Sequence, residues 1–449
     1  MKTAKNNNWL LAGIFNGLQK LSIPIFGLVS TMILAKGALT VEEMGVWSLF
    51  LVVTSFVELI RQALVKTSMI KYVNHAGPED QKYILSSSLF LNIIVTISLI
   101  IVLLFTAVPI ANIQASPDLE SMLYIFLGGM LLLIPFSHFE WIMYSKSEFK
   151  GLFWTYFFRQ GISLLLMILF LIFNGKITLN QLVIFYCIGI AVGIGVSYIY
   201  VANHLEKVFS LSGEWTKKLW HFGKFVFGSG LSTLVFANAA QMMMAPMLGT
   251  TVFNALQGVS ARVVNLADMP SQVLSDLLFP KSAKKENAEN KELIKYYYEK
   301  TVGATLCFTI PMILFILLFP KFIILFISGP EYLDAIPFLQ LLSVTGIFLA
   351  FLKQYGVIID STGRPAVNFT TITIIAMVYV VFTYFGIKQY GFMGAAYALI
   401  AAHVVGFIMT QIILYRYFGI NFLNCFKQAF LFYPELTKMI LDKAQWKTN

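Results

Sequence analysis

Twelve apolar runs, most near 20 residues long, divide this chain from end to end: roughly 9–34, 45–65, 83–105, 119–143, 152–173, 180–200, 219–248, 253–279, 301–319, 332–352, 366–385 and 391–415. At about 1.5 Å of rise per residue, a helix of that length crosses a ~30 Å hydrocarbon core. Backbone polar groups find no water in lipid, so every run is expected to be helical. Only 12% of the residues are charged and 58% are hydrophobic, whereas a soluble chain carries about 25% charge. There is too little charge to coat a water-exposed surface, which excludes a soluble enzyme, a disordered scaffold and a secreted disulfide framework. The first run is too long for a cleavable signal peptide, and Lys20 and Pro24 interrupt it.

The net charge of +10 raises the question of nucleic acid. Its distribution answers it, because the basic residues lie in the short stretches between apolar runs. With the N-terminus placed in the cytoplasm, Lys36, Lys176, Lys321 and Lys388 face outward. Lys20, Arg159 and Arg262 fall within spans, and all the rest of the 32 lysines and arginines are cytoplasmic. Arg61, Lys66 and Lys353 are counted among these loop residues. A bias of this size sets both termini inside and reads the charge as topology. The expected location is the inner (cytoplasmic) membrane. The three cysteines, Cys187, Cys307 and Cys425, have no metal-ligand spacing and read as small packing residues. No hydrolase, kinase or dinucleotide motif stands in its required context. Residues 281–292 read as a solvated loop. The stretch 419–449, mixing aromatics with lysines, reads as a cytoplasmic amphipathic tail lying on the anionic leaflet.

Six spans followed by six suggest duplication. At an offset of 210, Glu58 aligns with Asp268, Gln62 with Gln272, Leu64 with Leu274 and Lys71 with Lys281. Both halves start with a helix entering from the same side, so the repeat is parallel, with a pseudo-two-fold along the membrane normal. The expected fold is an all-α polytopic membrane protein with two six-helix lobes, 1–205 and 206–418, around a central cavity that opens to each side in turn.

Several short motifs occur in order along the chain. They are MGVWSLF (44–50), FPKSAKK (279–285), LFISGPEYLDAIPFLQLLSV (325–344), DSTGRPAVNF (360–369) and YGFMGAAYA (390–398). Together they resemble the multidrug/oligosaccharidyl-lipid/polysaccharide exporter superfamily. Its polysaccharide transporter branch, the twelve-helix O-antigen and capsule repeat-unit flippases, looks most similar. The lipid II flippases of the superfamily typically carry fourteen helices, for which this chain has no room. The resemblance implies two six-helix lobes forming a V. It also implies a cargo of undecaprenyl-pyrophosphate-linked oligosaccharide, moved from the cytoplasmic to the outer leaflet for O-antigen (lipopolysaccharide), capsule or exopolysaccharide synthesis. A monomer working alongside a polymerase and glycosyltransferases is expected, with membrane lipids as its surroundings and nucleic acid not among its partners. No cofactor is expected, and H+ or Na+ are the candidate coupling ions.

A charge within a span costs at least ~2.5–3.5 kcal/mol and should face a cavity or a partner. Lys20 shares a helix face with Asn16, Pro24 and Thr31; the alternative is a lysine reaching for the interface. Ser55, Glu58, Gln62 and Lys66 fall within roughly 80° of one another. Arg262, Asn265, Asp268, Gln272 and Asp276 fall within roughly 120°. Polar stripes of this kind either line a wet cavity or glue helices together. Arg159, His403, His138 and Glu140 read equally as packing or near-surface groups. The cations Lys20, Arg262 and Arg159 are the candidates for gripping pyrophosphate. Glu58, Asp268, Gln62, Gln272, Asn16 and Asn265 are the candidate coupling and cavity residues. If the charges instead pair internally, the expected pairs are Lys20 with Glu58 and Arg262 with Asp268. Two other functions compete. A cation-coupled multidrug exporter would favour an acidic, aromatic cavity. A membrane-embedded glycosyltransferase or polymerase would need a large outer catalytic loop, and the outward stretches here are short.

Overall fold

The structure, a computed structural model, describes residues 2–205, 209–282 and 290–432, and among these it is helical without a strand. The helices are α1 (Lys2–Ile33), α2 (Val41–Arg61), α3 (Thr67–His75), α4 (Pro78–Ile113), α5 (Pro117–Ser145), α6 (Phe149–Asn174), α7 (Leu179–Val201) and α8 (Gly213–Leu248). They continue as α9 (Val252–Ala267), α10 (Met269–Ser282), α11 (Lys291–Leu318), α12 (Pro320–Ile327), α13 (Ile336–Ser361), α14 (Pro365–Tyr390) and α15 (Phe392–Phe418). A last helix, α16, covers 422–432.

Among the described residues, 11 helices are long and apolar enough to cross a membrane. The remaining apolar run, 253–279, departs from the expected single span. It is broken at Asp268 into α9 and α10, each too short to cross alone. The sequence supplies a reason, since Pro270 has no N–H to continue the hydrogen-bond ladder. A second departure concerns Arg61, Lys66 and Lys353. They are helical residues rather than loop residues. Val41–His75 runs as one helix through a π-turn at Gln62–Lys66, and Lys353 lies inside α13.

Local chemistry sets the helix ends. Thr40 and Glu43 form a reciprocal capping box at α2, as do Thr178 and Gln181 at α7, which satisfies orphan N–H groups. Proline opens α4, α5 and α14, where its missing N–H costs nothing.

The chain forms two compact units. One comprises Met1–Val259 with Phe326–Glu331, and the other Ser260–Leu325 with Tyr332–Asn449. The division falls within α9 rather than at 205/206, because α8 packs in the first unit against α2, α4 and the π-turn. In the first unit Val65, Met69, Ile84, Trp141 and Leu152 form a core cluster. In the second, Tyr298, Val302, Phe351, Ile358 and Leu414 do so.

The tail departs from a helix lying only on a lipid surface. Cys425 and Ala429 of α16 are buried in the second unit's core. Glu299 of α11 accepts from Asn421 N and Asn424 Nδ2 at 3.4 and 3.1 Å. Residues 433–449, and the basic run at 283–289, lie outside the described residues.

Each unit contains one contact that only glycine permits. A Cβ on Gly223 of α8 would lie 1.9 Å from the Leu64 carbonyl oxygen, and one on Gly394 of α15 would lie 1.9 Å from the Gly386 carbonyl oxygen of α14. Backbone atoms cannot swing aside as a side-chain tip can. Alanine at Gly223 or Gly394 should therefore lose about 1–3 kcal/mol to overpacking. That outweighs the gain of about 0.8–1 kcal/mol in helix propensity. A lower melting temperature in detergent for both variants is the expected result; an unchanged one would mean that the helices separate freely there.

Candidate functional site

The polar side chains of α2 organise the interior of the first unit. Arg61 is only 1% exposed. Its Nε donates to Thr96 Oγ1 at 2.8 Å, and its Nη2 donates to Asn92 Oδ1 at 2.8 Å and to the Leu133 carbonyl at 2.7 Å. Asn92 Nδ2 in turn donates to the Ile134 carbonyl at 3.0 Å. One guanidinium thus joins α2, α4 and α5 near the middle of each. Burial of an ion demands such partners, because water is not there to solvate it.

One turn earlier, Glu58 accepts from Arg159 Nη2 of α6 at 2.9 Å and from Tyr186 Oη of α7 at 3.3 Å. Arg159 Nη2 also donates to Tyr186 Oη at 2.8 Å. The Arg159 guanidinium lies over the rings of Phe136 at 4.6 Å and Tyr186 at 5.4 Å. Its π-cloud contacts add to the ion pair. One turn later, Lys66 pairs with the buried Glu140 at 3.0 Å and lies over the Tyr144 ring at 4.0 Å. Glu140 is therefore a buried ion-pair partner rather than a near-surface group. His138 is also buried.

The second unit carries a smaller version. Asp268, at the break between α9 and α10, forms a close ion pair with Lys353 of α13, and Gln272 Nε2 donates to its carboxylate at 3.3 Å. Gln354 Nε2 reaches Ser271 O and Ser275 Oγ at 3.3 and 2.9 Å. A void of about 10 Å³ beside Asp268 is bordered by Thr309 and Ser343, room for about one water.

The expected internal pairs are thus replaced. Glu58 is bonded to Arg159, and Asp268 to Lys353. The repeat-related carboxylates each receive a cation from a different helix. Of the other sequence candidates, Lys20 and Asn16 are half-buried on α1, Gln62 is half-buried in the π-turn and Arg262 is half-buried on α9. Asn265 and Gln272 are exposed, and the side chain of Asp276 lies outside the description. His403 is buried, with its Nδ1 2.8 Å from the Leu399 carbonyl. The sequence reading missed Arg61, Lys353, Asn92, Thr96 and Tyr186 as interior polar groups. The available signal was phase: Arg61 follows Glu58 by three residues and so shares its face. No group of three or more His, Cys, Asp or Glu among the described residues could hold a metal ion.

Two helical units threaded by buried ion pairs, with 11 apolar spans, define a multi-pass membrane transporter, and comparison with solved structures specifies its fold. The chain superposes on an inward-facing multidrug resistance MATE family transporter of the MOP superfamily with a TM-score of 0.73, at 16% identity over 89% of this chain and 98% of that one. It superposes equally, at 0.73, on the lipid II flippase MurJ in an inward closed conformation, at 17% identity over 94% and 92% of the two chains. A MOP superfamily transporter from Pyrococcus furiosus gives 0.64 at 16% identity over 90% and 94%. Its binding pocket is described as having reversed polarity, suggesting a different function. A curated relative, the uncharacterized membrane protein MJ1068 of Methanocaldococcus jannaschii, is 25% identical over 219 residues. That stretch is 49% of this chain and 43% of the relative's length.

The fold is therefore that of the MOP transporters and flippases, not of an enzyme. Residues 33–337, more than half of the chain, match the polysaccharide biosynthesis protein family, and the chain belongs to that family.

Proposed function

We propose that this protein is a flippase for lipid-linked oligosaccharide, moving undecaprenyl-pyrophosphate-linked repeat units from the cytoplasmic to the outer leaflet of the inner membrane. The observation that carries the reading is the pairing of a polysaccharide biosynthesis family match with a MOP fold. Polysaccharide repeat units are built on a lipid, and a lipid-bound glycan needs a transporter to cross. O-antigen, capsule or exopolysaccharide synthesis is the setting, with a polymerase and glycosyltransferases acting before and after. The lysine and arginine bias supports cytoplasmic termini.

Lys20 and Arg262 are the proposed phosphate contacts. A guanidinium can grip a phosphate bidentately, and a fixed cation offsets the loss of hydration as the anion leaves water. Arg159 joins them only when Glu58 releases it. Uptake of H+ or Na+ at Glu58 would neutralise the carboxylate and free the guanidinium, which couples an ion gradient to cargo binding. Asp268 and Lys353 offer the same exchange in the second unit.

The test uses the full chain in proteoliposomes with a fluorescent undecaprenyl-pyrophosphate oligosaccharide, whose exposure is read by a membrane-impermeant quencher. Wild type should move the fluorophore between leaflets. Lys20→Ala and Arg262→Ala should keep normal protein levels and lose transport, while Arg262→Lys keeps part of it. A wild-type protein that leaves the lipid-linked sugar in place but extrudes cationic dyes would overturn the reading in favour of a cation-coupled multidrug exporter.

A further inference from the structure

At one end of the first unit, a half-open cavity of about 400 Å³ lies between the start of α4 and the end of α5. That volume falls within the ~300–1,000 Å³ of small-molecule sites. Its walls are mostly apolar, with Leu85, Leu89, Phe139 and Ile142 among them, and Leu205 and Phe209 border it from the connection between α7 and α8. That connection is pinned to α4: Ser210 N donates to Ser86 Oγ at 3.0 Å, and Ser87 Oγ donates to the Ser212 carbonyl at 3.2 Å. The cavity is thus built from three chain segments rather than being a chance gap between two helices. His138 is the one titratable residue in its wall, 5% exposed and with no partner for its Nδ1.

Charge at the rim indicates what the cavity takes. Lys82 precedes Leu85 by three residues and Lys146 follows Ile142 by four, so each stands one turn beyond the lining on its own helix face. Lys146 Nζ donates to Gln81 Oε1 at 2.9 Å, which holds the end of α5 against the start of α4. An apolar slot with two ammonium groups at its mouth fits a molecule with an anionic head and an apolar chain. The apolar spans put such molecules at hand in the bilayer itself.

We propose that this cavity is a binding site for an anionic membrane phospholipid. One acyl chain occupies the slot, and the phosphate sits at Lys82 and Lys146. The wall imidazole lies where a lipid ester oxygen could satisfy it. The site is contained in the first unit and is separate from the proposed cargo contacts. A resident lipid there would brace α4 against α5, the two helices that Arg61 also joins.

The full-length protein in nanodiscs would be irradiated with phosphatidylglycerol or phosphatidylcholine carrying a diazirine on one acyl chain, and the labelled peptides mapped. Labels should concentrate in 85–89 and 134–142, with phosphatidylglycerol favoured. The filling variants Leu89→Trp and Ile134→Phe should lose that labelling while labels on the lipid-facing stretch 165–173 persist. The pair Lys82→Gln, Lys146→Gln should retain labelling but lose the phosphatidylglycerol preference by roughly tenfold. The proposal is overturned if labels spread evenly over the lipid-facing helices. It also falls if a filling variant with unchanged melting temperature labels like wild type, or if the two lipids label equally. Stronger competition by undecaprenyl phosphate than by phosphatidylglycerol would make the slot a cargo site instead, and would also overturn it.

Discussion

Replacing Arg61 by alanine should destabilise the protein by about 3 kcal/mol or more. Hydrogen bonds from a charged donor contribute ~1.5–3 kcal/mol each, and truncating a large buried side chain leaves a cavity besides. Removing the charge also removes its burial penalty, which is why the net loss is smaller than the sum of the three bonds. The partners decide the sign. The Asn92 amide oxygen and the Leu133 carbonyl would each lose a donor, deep among helices where water is scarce. Arg61→Lys keeps the charge but cannot span Thr96, Asn92 and Leu133 from one planar fork, so it should recover only part of the loss. Melting in detergent, followed by intrinsic fluorescence, gives the measurement. A wild-type melting temperature for Arg61→Ala would show that the guanidinium braces nothing.

The second large effect is expected at Glu58 and Arg159. Neutralising Glu58 alone, as Glu58→Gln, strands a cation whose side chain is 5% exposed. Breaking a buried pair from one side costs about 3–5 kcal/mol. Glu58 itself is 29% exposed, which places the loss at the lower end of that range. The double variant Glu58→Gln, Arg159→Met removes both charges at similar volume and should melt near wild type. Its transport of the lipid-linked sugar should still be lost, because neither the exchangeable carboxylate nor the releasable cation remains. Restored stability with full transport would reduce the pair to a structural tie. The two assays therefore separate a brace from a working part.

The spans were legible because lipid leaves the backbone few choices: an apolar run of that length has to be helical. The polar partners were harder to read. Arg159 and Glu58 lie 101 residues apart, and no local pattern links them; only the packing of α6 against its neighbours does. Lys353 was assigned to a loop because an apolar run ended nearby, as were Arg61 and Lys66. Loss of hydropathy was taken as the end of a helix. In a bundle interior it marks the face that other helices cover, and α2 keeps its ladder through all of these residues. The carboxylates were read correctly as deep because each lies well inside an apolar run. The break at Asp268 was open to inference from Pro270, but the polar stripe there looked continuous at helical spacing and hid it.

The π-turn at Gln62–Lys66 has a consequence for how the gene can change. A π-turn amounts to an α-helix holding one surplus residue. Removing any one of those five residues would leave a perfectly regular helix, yet turn everything after it by roughly 100°. Val65, Met69 and Val73, which all sit in the core, would then swing off their neighbours, and Lys66 would leave Glu140. Single-residue deletions, commonly tolerated at loop tips, are thus barred from this stretch by register. Across related chains, the spacing between Glu58 and Met69 should hold constant even where the side chains between them drift.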